Sequence, residues 1–203
     1  MIQISDFIAD WSSSLFSHVN QPPWVVTSDA TNLIKGAIRQ LTSEFEINGE
    51  IAIHPSATVE PGAIVKGPTI LCSNSFVAAG AYLRGGVFVD RDCIVGPACE
   101  LKTTFMFEKS KIAHLSFVGD SIVGAGANIE AGAIVANYRN ELDDKRIKFI
   151  WKGRTIDTGV DRFGALIGDS SRIGANAVLA PGTVLEPRTI IPRLGNVDLY
   201  PGP

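Results

Sequence analysis

"IHPSATVEPGAIVKGPTILCSNSFVAAGAYLRGGVFVDRDCIVGPACEL", Ile53 to Leu101, carries an aliphatic residue at every sixth position: Ile53, Val59, Val65, Leu71, Val77, Leu83, Val89, Val95 and Leu101. Four places after each of these, as far as Val95, stands a residue that is usually small: Ala57, Ala63, Thr69, Ser75, Ala81, Val87, Cys93 and Cys99. A period of six fits neither the 3.6 of a helix nor the 2 of a single strand. It fits short strands joined by corners, with two inward positions to a side and three sides to a coil. Gly62, Gly80, Gly86, Gly96, Gly126, Gly132 and Gly182, with Pro55, Pro61, Pro97 and Pro181, are the residues expected at the corners. The register returns as Val123, Ile129 and Val135, then as Ile167, Ile173, Leu179, Leu185 and Ile191. Two interruptions divide these runs: a slip between Ala113 and Val123, and a longer departure from Asn137 to Gly164.

In that departure Ile147, Phe149 and Trp151 alternate with Lys148, Ile150 and Lys152, and Lys152-Gly153 offers a turn. The pattern predicts a protruding β-hairpin arm within 139–163. A lone two-stranded arm carrying Phe and Trp is marginal, so a neighbouring subunit is its expected support. Ahead of the repeat, Ile4, Phe7, Ile8, Trp11 and Leu15 keep helical spacing after Ser5. Leu33, Ile34, Ala37, Ile38, Leu41 and Phe45 do so after Ser28 or Asp29. Pro22 and Pro23 break any helix between them. Residues 1–50 are therefore expected to be a two-helix cap over the open end of a coil occupying 51–193, with 194–203 as a C-terminal tail.

The chain has 203 residues, 45% of them hydrophobic, and a formal net charge of −3, so it can bury a core and offers no broad basic field to nucleic acid. The N-terminus lacks a basic lead, and nowhere do about 18 apolar residues run together, which predicts a soluble, cytoplasmic protein without a membrane segment. Cys72, Cys93 and Cys99 have no metal-ligand spacing and are expected as buried thiols. The glycines of "VGAGAN", Val123 to Asn128, have no strand-to-helix context and are expected at corners rather than in a phosphate loop.

This pattern resembles the hexapeptide-repeat family, and the resemblance implies a mainly β fold, a left-handed parallel β-helix. A more specific likeness runs ungapped from Arg84 to Tyr138, "RGGVFVDRDCIVGPACELKTTFMFEKSKIAHLSFVGDSIVGAGANIEAGAIVANY". Its E-L-K, its K-x-x-H-L followed by G-D, its G-x-x-x-N-I-x-A-G and its N-Y resemble the acetyltransferase domain of the bifunctional glucosamine-1-phosphate acetyltransferase and N-acetylglucosamine-1-phosphate uridyltransferase. The resemblance implies acetyl transfer from acetyl-CoA to an amino sugar phosphate, at sites lying between the subunits of a homotrimer.

Carried over residue by residue, the likeness makes His114 the general base, a task that suits an imidazole near neutral pH. Glu100 is expected to orient or help charge it, and Asn137 to meet the acetyl group. Arg84 and Lys102 are expected to grip the sugar phosphate and Asn128 to bind the sugar. Tyr138 and Ala175 fall at the donor site, where the cationic arm residues Lys145, Arg146, Lys148, Lys152 and Arg154 could meet coenzyme phosphates. No metal site is implied.

Three departures stand out. Phe117 occupies the place of a phosphate-contacting tyrosine, Ala175 replaces a serine, and the sequence after Ile191 is short. Nothing before residue 50 resembles a nucleotidyltransferase, which leaves such an enzyme as a separate partner. The departures also keep open a non-catalytic β-helix that binds a sugar nucleotide or assembles with that partner. A hexapeptide-fold carbonic anhydrase would need three zinc-binding histidines, and His54 and His114 are too isolated to provide them.

Overall fold

Each six-residue unit becomes one short strand and one corner. In the computed structural model, which describes residues 2–202, three walls of parallel strands wind round one apolar axis. The second wall is the most regular, a seven-stranded sheet running from Thr58–Val59 to Ile190–Ile191. Successive coils stack in register, as in Ile94 beside Lys111 and Lys111 beside Asn128. The hexad residues point inward: Leu71, Val77, Leu83, Val89, Val95, Leu101, Val123, Ile129, Val135, Ile167, Ile173 and Leu179 are all at most 1% exposed.

The inward sequence then continues Leu101, Met106, Ile112, Val118, Val123. The slip expected between Ala113 and Val123 is thus split into two five-residue steps in successive coils, and the earlier one falls at Lys102-Thr103. The cause is local. Elsewhere the strands stop at the corner, whereas Tyr82–Val89, Glu100–Met106 and Phe117–Val123 run through the corner between the third wall and the first. Six of the seven glycines expected at corners, all but Gly96, hold positive φ, and other residues share the task. Ala98, Leu115, Asn176 and Leu194 also hold the left-handed conformation, and the ladder bond from the Leu115 amide to the Pro97 carbonyl, 3.1 Å, helps keep one of them there.

The first wall is buried on both faces. Its outward column, Ala52, Ile70, Phe88, Phe105, Ile122, Leu166 and Val184, is at most 3% exposed. The sequence carries the matching signal, continuous apolar triplets such as "VFV" at Val87–Val89 and "ALI" at Ala165–Ile167, where the other walls alternate with exposed residues. What covers this column is the N-terminal segment. Phe16 meets Phe88 and Phe105 edge-on with ring centroids 5.1 and 5.0 Å apart, and Trp11 packs on Phe107 at 5.8 Å. The expected end cap is therefore a cover along the side, because the coil presents a greasy wall longer than its end.

The helices differ as well. Ile4–Asp6 and Ala9–Ser13 are 3-10 turns. An α-helix cannot continue there because the Ala9 amide donates to Asp169 Oδ2 (2.9 Å) and the Phe7 carbonyl accepts from the Asp169 amide (2.9 Å). The two α-helices are Pro23–Ser28 and Ala30–Ile38. The first begins at the prolines that were expected only to break one, since proline at the first helical position has no amide to lose.

The hairpin forms as Lys148–Trp151 and Arg154–Asp157, with Lys152 and Gly153 both at positive φ in its turn. It does not protrude. Ile147 and Phe149 are fully buried, Phe149 meets Trp24 at 5.8 Å, and Trp151 meets Phe7 at 5.6 Å, so its support comes from its own chain. All three cysteines are free thiols, and burial pushes Cys93 up to about 12. No helix among the described residues is long and apolar enough to cross a membrane.

Candidate active site

The three unbroken strands decide where polar groups can gather. Where the first of them turns, Arg84 pairs with Lys102 and Val87 with Thr104, so Gly85 and Gly86 together oppose Thr103. A side chain at either glycine has no room: a Cβ on Gly85 would stand 2.8 Å from Thr103 Oγ1, and one on Gly86 would stand 3.0 Å from the Thr31 amide nitrogen. With the strands held in this register, Arg84, Lys102 and Gly119 stack in one row, and Tyr82, Glu100, Phe117 and Ile134 in the next.

Charge pairing follows from the stack. Arg84 donates to Glu100 Oε1 from Nε at 2.8 Å and from Nη2 at 2.6 Å, and its guanidinium lies 5.7 Å from the Tyr82 ring. Lys102 Nζ donates to Asp120 Oδ2 at 2.7 Å, and the Asn137 amide nitrogen donates to the same oxygen. The two cations expected to grip a phosphate are thus together, but each already holds a carboxylate. Any anion entering this corner must displace or share Glu100 and Asp120.

His114 lies at the other end of this wall, exposed, in the corner that precedes Phe117. Its backbone belongs to a column running through Pro97, His114, Ala131 and Ala175, linked by the bonds from Leu115 N to Pro97 O, Gly132 N to His114 O and Asn176 N to Ala131 O. His114 and Ala175 are therefore two coils apart, or about 10 Å at strand spacing. The expected partnership of Glu100 with His114 is not formed; the carboxylate is bonded to Arg84. Asn128 stands on the second wall between Lys111 and Arg172, away from the charged corner. It borders a shallow hollow of about 480 Å³ with Asp92, Ile94, Lys109 and Lys111.

Asn137 and Tyr138 lie where the chain leaves the coil, and the Tyr138 ring has Arg162 at 4.7 Å and Lys145 at 5.5 Å. The Ala175 amide donates to Glu130 Oε2 at 2.9 Å, and Arg193 grips the same carboxylate. The expected cationic edge of the arm is largely neutralised. Arg146 and Lys148 are paired with Asp144, and Lys152 is paired with Glu186.

Two participants escaped the sequence reading. Asp120 was in plain view as the acid closing "SFVGD", the end of the quoted motif. Arg139 directly follows Asn137-Tyr138 and is 2% exposed, bonded to Asp198 through both terminal nitrogens (2.9 and 2.5 Å) and to the Pro181 carbonyl (3.0 Å). It ties the tail back to the coil. Arg139 holds the Asp198 carboxyl below the usual aspartate range, so this contact stabilises the fold above the unfolded-state value of about 3.9 and is lost as the pH falls through the lowered folded value. Asp198→Asn is accordingly expected to lower the melting temperature at pH 7, the deficit shrinking to nothing in acid. A deficit that persisted unchanged at pH 2 would exclude this ionic origin.

Residues 65–190 match a family model described as the GMPPB C-terminal domain. A bifunctional sugar-1-phosphate nucleotidylyltransferase/acetyltransferase of Sulfurisphaera tokodaii is 41% identical over 88 residues, 43% of this chain and 21% of that protein. The bifunctional protein GlmU of Methanococcus maripaludis is 38% identical over 101 residues, 50% of this chain and 24% of that protein. The matches therefore cover less than a quarter of these relatives' length. Among solved structures, a variant of AntD, an N-acyltransferase from Bacillus cereus in complex with dTDP and coenzyme A, overlaps 79% of this chain and 83% of its own at 13% identity and a TM-score of 0.42.

Proposed function

The chain belongs to the family of the GMPPB C-terminal domain, and from that premise we propose that it is an acetyltransferase, moving an acetyl group from acetyl-CoA to the amine of an amino sugar phosphate such as glucosamine-1-phosphate. The observation that carries the reading is the charged corner: three strands that refuse to break bring Arg84, Glu100, Lys102 and Asp120 together on the wall that His114 borders, and Asn137 joins them from the point where the chain leaves the coil. The acetyltransferase named in the Sulfurisphaera relative supports it.

In this reading the phosphate is held at Arg84 and Lys102, exchanging with their carboxylate partners, while the sugar amine points toward His114. The amine nitrogen attacks the thioester carbonyl carbon, a C–N bond forms, and the C–S bond breaks. His114 takes the proton that the nitrogen sheds, and a proton returns to the departing thiolate. No bond to the enzyme is made. Homotrimer formation belongs to the same proposal, since Asn128 faces away from the charged corner of its own chain and would serve a neighbour's site. Light scattering is expected to report three chains per particle, and a monomer at micromolar concentration would dismantle this arrangement. Three free thiols and an acetyl-CoA donor both suit a cytoplasmic setting.

Thiol release from acetyl-CoA in the presence of glucosamine-1-phosphate tests the activity, and calorimetric titration with acetyl-CoA tests the donor site. A second reading is favoured by the internal neutralisation of Arg84 and Lys102: a non-catalytic β-helix that binds a sugar nucleotide or docks on a nucleotidyltransferase. It predicts neither acetyl-CoA binding nor thiol release. Phe117 offers a graded check. A hydrogen bond to a charged group contributes about 1.5 to 3 kcal/mol, so Phe117→Tyr is expected to tighten glucosamine-1-phosphate binding by about 10- to 100-fold. Unchanged affinity would mean that the phosphate does not reach this row.

A further inference from the structure

Resting on the acetyltransferase reading, we infer that Asp120 is the positioning residue of this site, the side chain that holds Lys102 and Asn137 in a single arrangement. Its carboxylate is almost buried, with the residue 5% exposed, and one oxygen, Oδ2, accepts from both Lys102 Nζ at 2.7 Å and the Asn137 amide nitrogen. Lys102 lies 18 residues before Asp120 and Asn137 lies 17 after, so the carboxylate staples three successive coils.

The backbone fixes it in turn. Asp120 holds a left-handed conformation, φ 45°, at the shortened corner, and its carbonyl accepts from the Gly164 amide at 2.9 Å where the chain returns to the coil. Gly119 makes the space: a Cβ there would stand 2.7 Å from Asn137 Nδ2 and 2.8 Å from Phe117 Cζ. Asn137 is thereby confined between a glycine backbone and a carboxylate.

The chemistry of the donor set adds direction. An ionised carboxylate only accepts, so the amide of Asn137 must turn its nitrogen to Asp120, which leaves its carbonyl oxygen as the acceptor for another group. Lys102 spends one of its three hydrogens on Asp120 and keeps two. One carboxylate thus sets both the face of the amide and the direction of the ammonium. Misplacement of a substrate-holding group by about 1 Å can cost about 10²-fold in rate.

The test is a double-mutant cycle on kcat/KM with Asp120→Asn, which keeps the shape and removes the charge. Alone it is expected to lower kcat/KM for the acceptor by about 10- to 100-fold. In an Asn137→Ala or a Lys102→Met background it should cost less than about twofold more, since residues acting through one another are not additive. Full multiplication of the single effects, as for a residue serving the fold alone, would overturn the inference. If the wild-type protein transfers no acetyl group, the acetyltransferase reading falls by itself, and a crystal structure of Asp120→Asn still decides the positioning. Displacement of Lys102 Nζ and Asn137 Nδ2 by about 1 Å or more supports it. Side chains left in place refute it, as would an Asp120→Ala protein of unaltered kinetics.

Discussion

Replacing His114 with alanine is expected to lower acetyl transfer by about 10²-fold or more, the scale of lost general-base assistance, while leaving the fold intact. The structural half of this expectation comes from what the residue contributes to the coil. The ladder bond at this position is made by the His114 carbonyl, which accepts from the Gly132 amide at 2.9 Å and is retained by alanine. The ring itself is exposed, and a surface substitution of this kind usually stays within about 0.5 kcal/mol. The kinetic half is that a base engaged only as the amine attacks should reduce kcat and kcat/KM together, leaving acetyl-CoA affinity near its parent value. Steady-state kinetics and a thermal melt on the same preparation read both halves. A variant that turned over like the parent would place the base elsewhere. A variant that unfolded would return the histidine to the repeat.

The fold was legible because the solenoid writes its geometry into the sequence at a fixed interval. Every inward residue from Leu71 to Leu101 could be named in advance, since each coil repeats one steric requirement and no distant contact alters it. Less visible was the side on which the N-terminal segment would lie. Ile4, Phe7, Ile8 and Trp11 are buried as their apolar spacing implies, but spacing says nothing about the backbone bonds from residues 7 and 9 to Asp169 that replace an α-helix with 3-10 turns. The triplets buried on both faces of the first wall were the available clue. They mark a covered wall as clearly as the hexad marks an inner one.

At the candidate site, residue identity was more readable than partnership. Arg84 and Lys102 do share one corner. Their pairing with Glu100 and Asp120 was not foreseeable, because these are contacts across a coil, 16 and 18 residues apart, in a register that depends on which corner loses a residue. The slip assigned to the segment after Ala113 begins one coil earlier, at Lys102-Thr103, and that shift decides which carboxylate each cation meets. Glu100 pairs with the arginine of the adjacent row and not with the histidine suggested by the motif.

The larger effect on stability is expected at Phe16. This ring is fully buried and meets three other aromatic rings: it stacks on Trp11 at 6.1 Å, meets Phe88 and Phe105 edge-on, and so joins the N-terminal segment to two coils of the first wall. Truncating a buried phenylalanine typically costs about 3 to 5 kcal/mol, and in a chain of this size each kcal/mol lowers the melting temperature by about 2 to 4 °C. Phe16→Ala is therefore expected to melt roughly 6 to 20 °C below the parent. Leu15 is the natural control. It is adjacent in sequence but 37% exposed, and Leu15→Ala should melt within about 2 °C of the parent. A segment that merely closed the end of the coil would touch one terminal turn, and loss of Phe16 would fray that turn while the middle coils melted as before. A side cover behaves differently: Phe88 and Phe105 lie in the body of the coil, so exposing them should lower the main cooperative transition itself and promote aggregation. An unchanged main transition in Phe16→Ala would mean that the aromatic column stands without its cover.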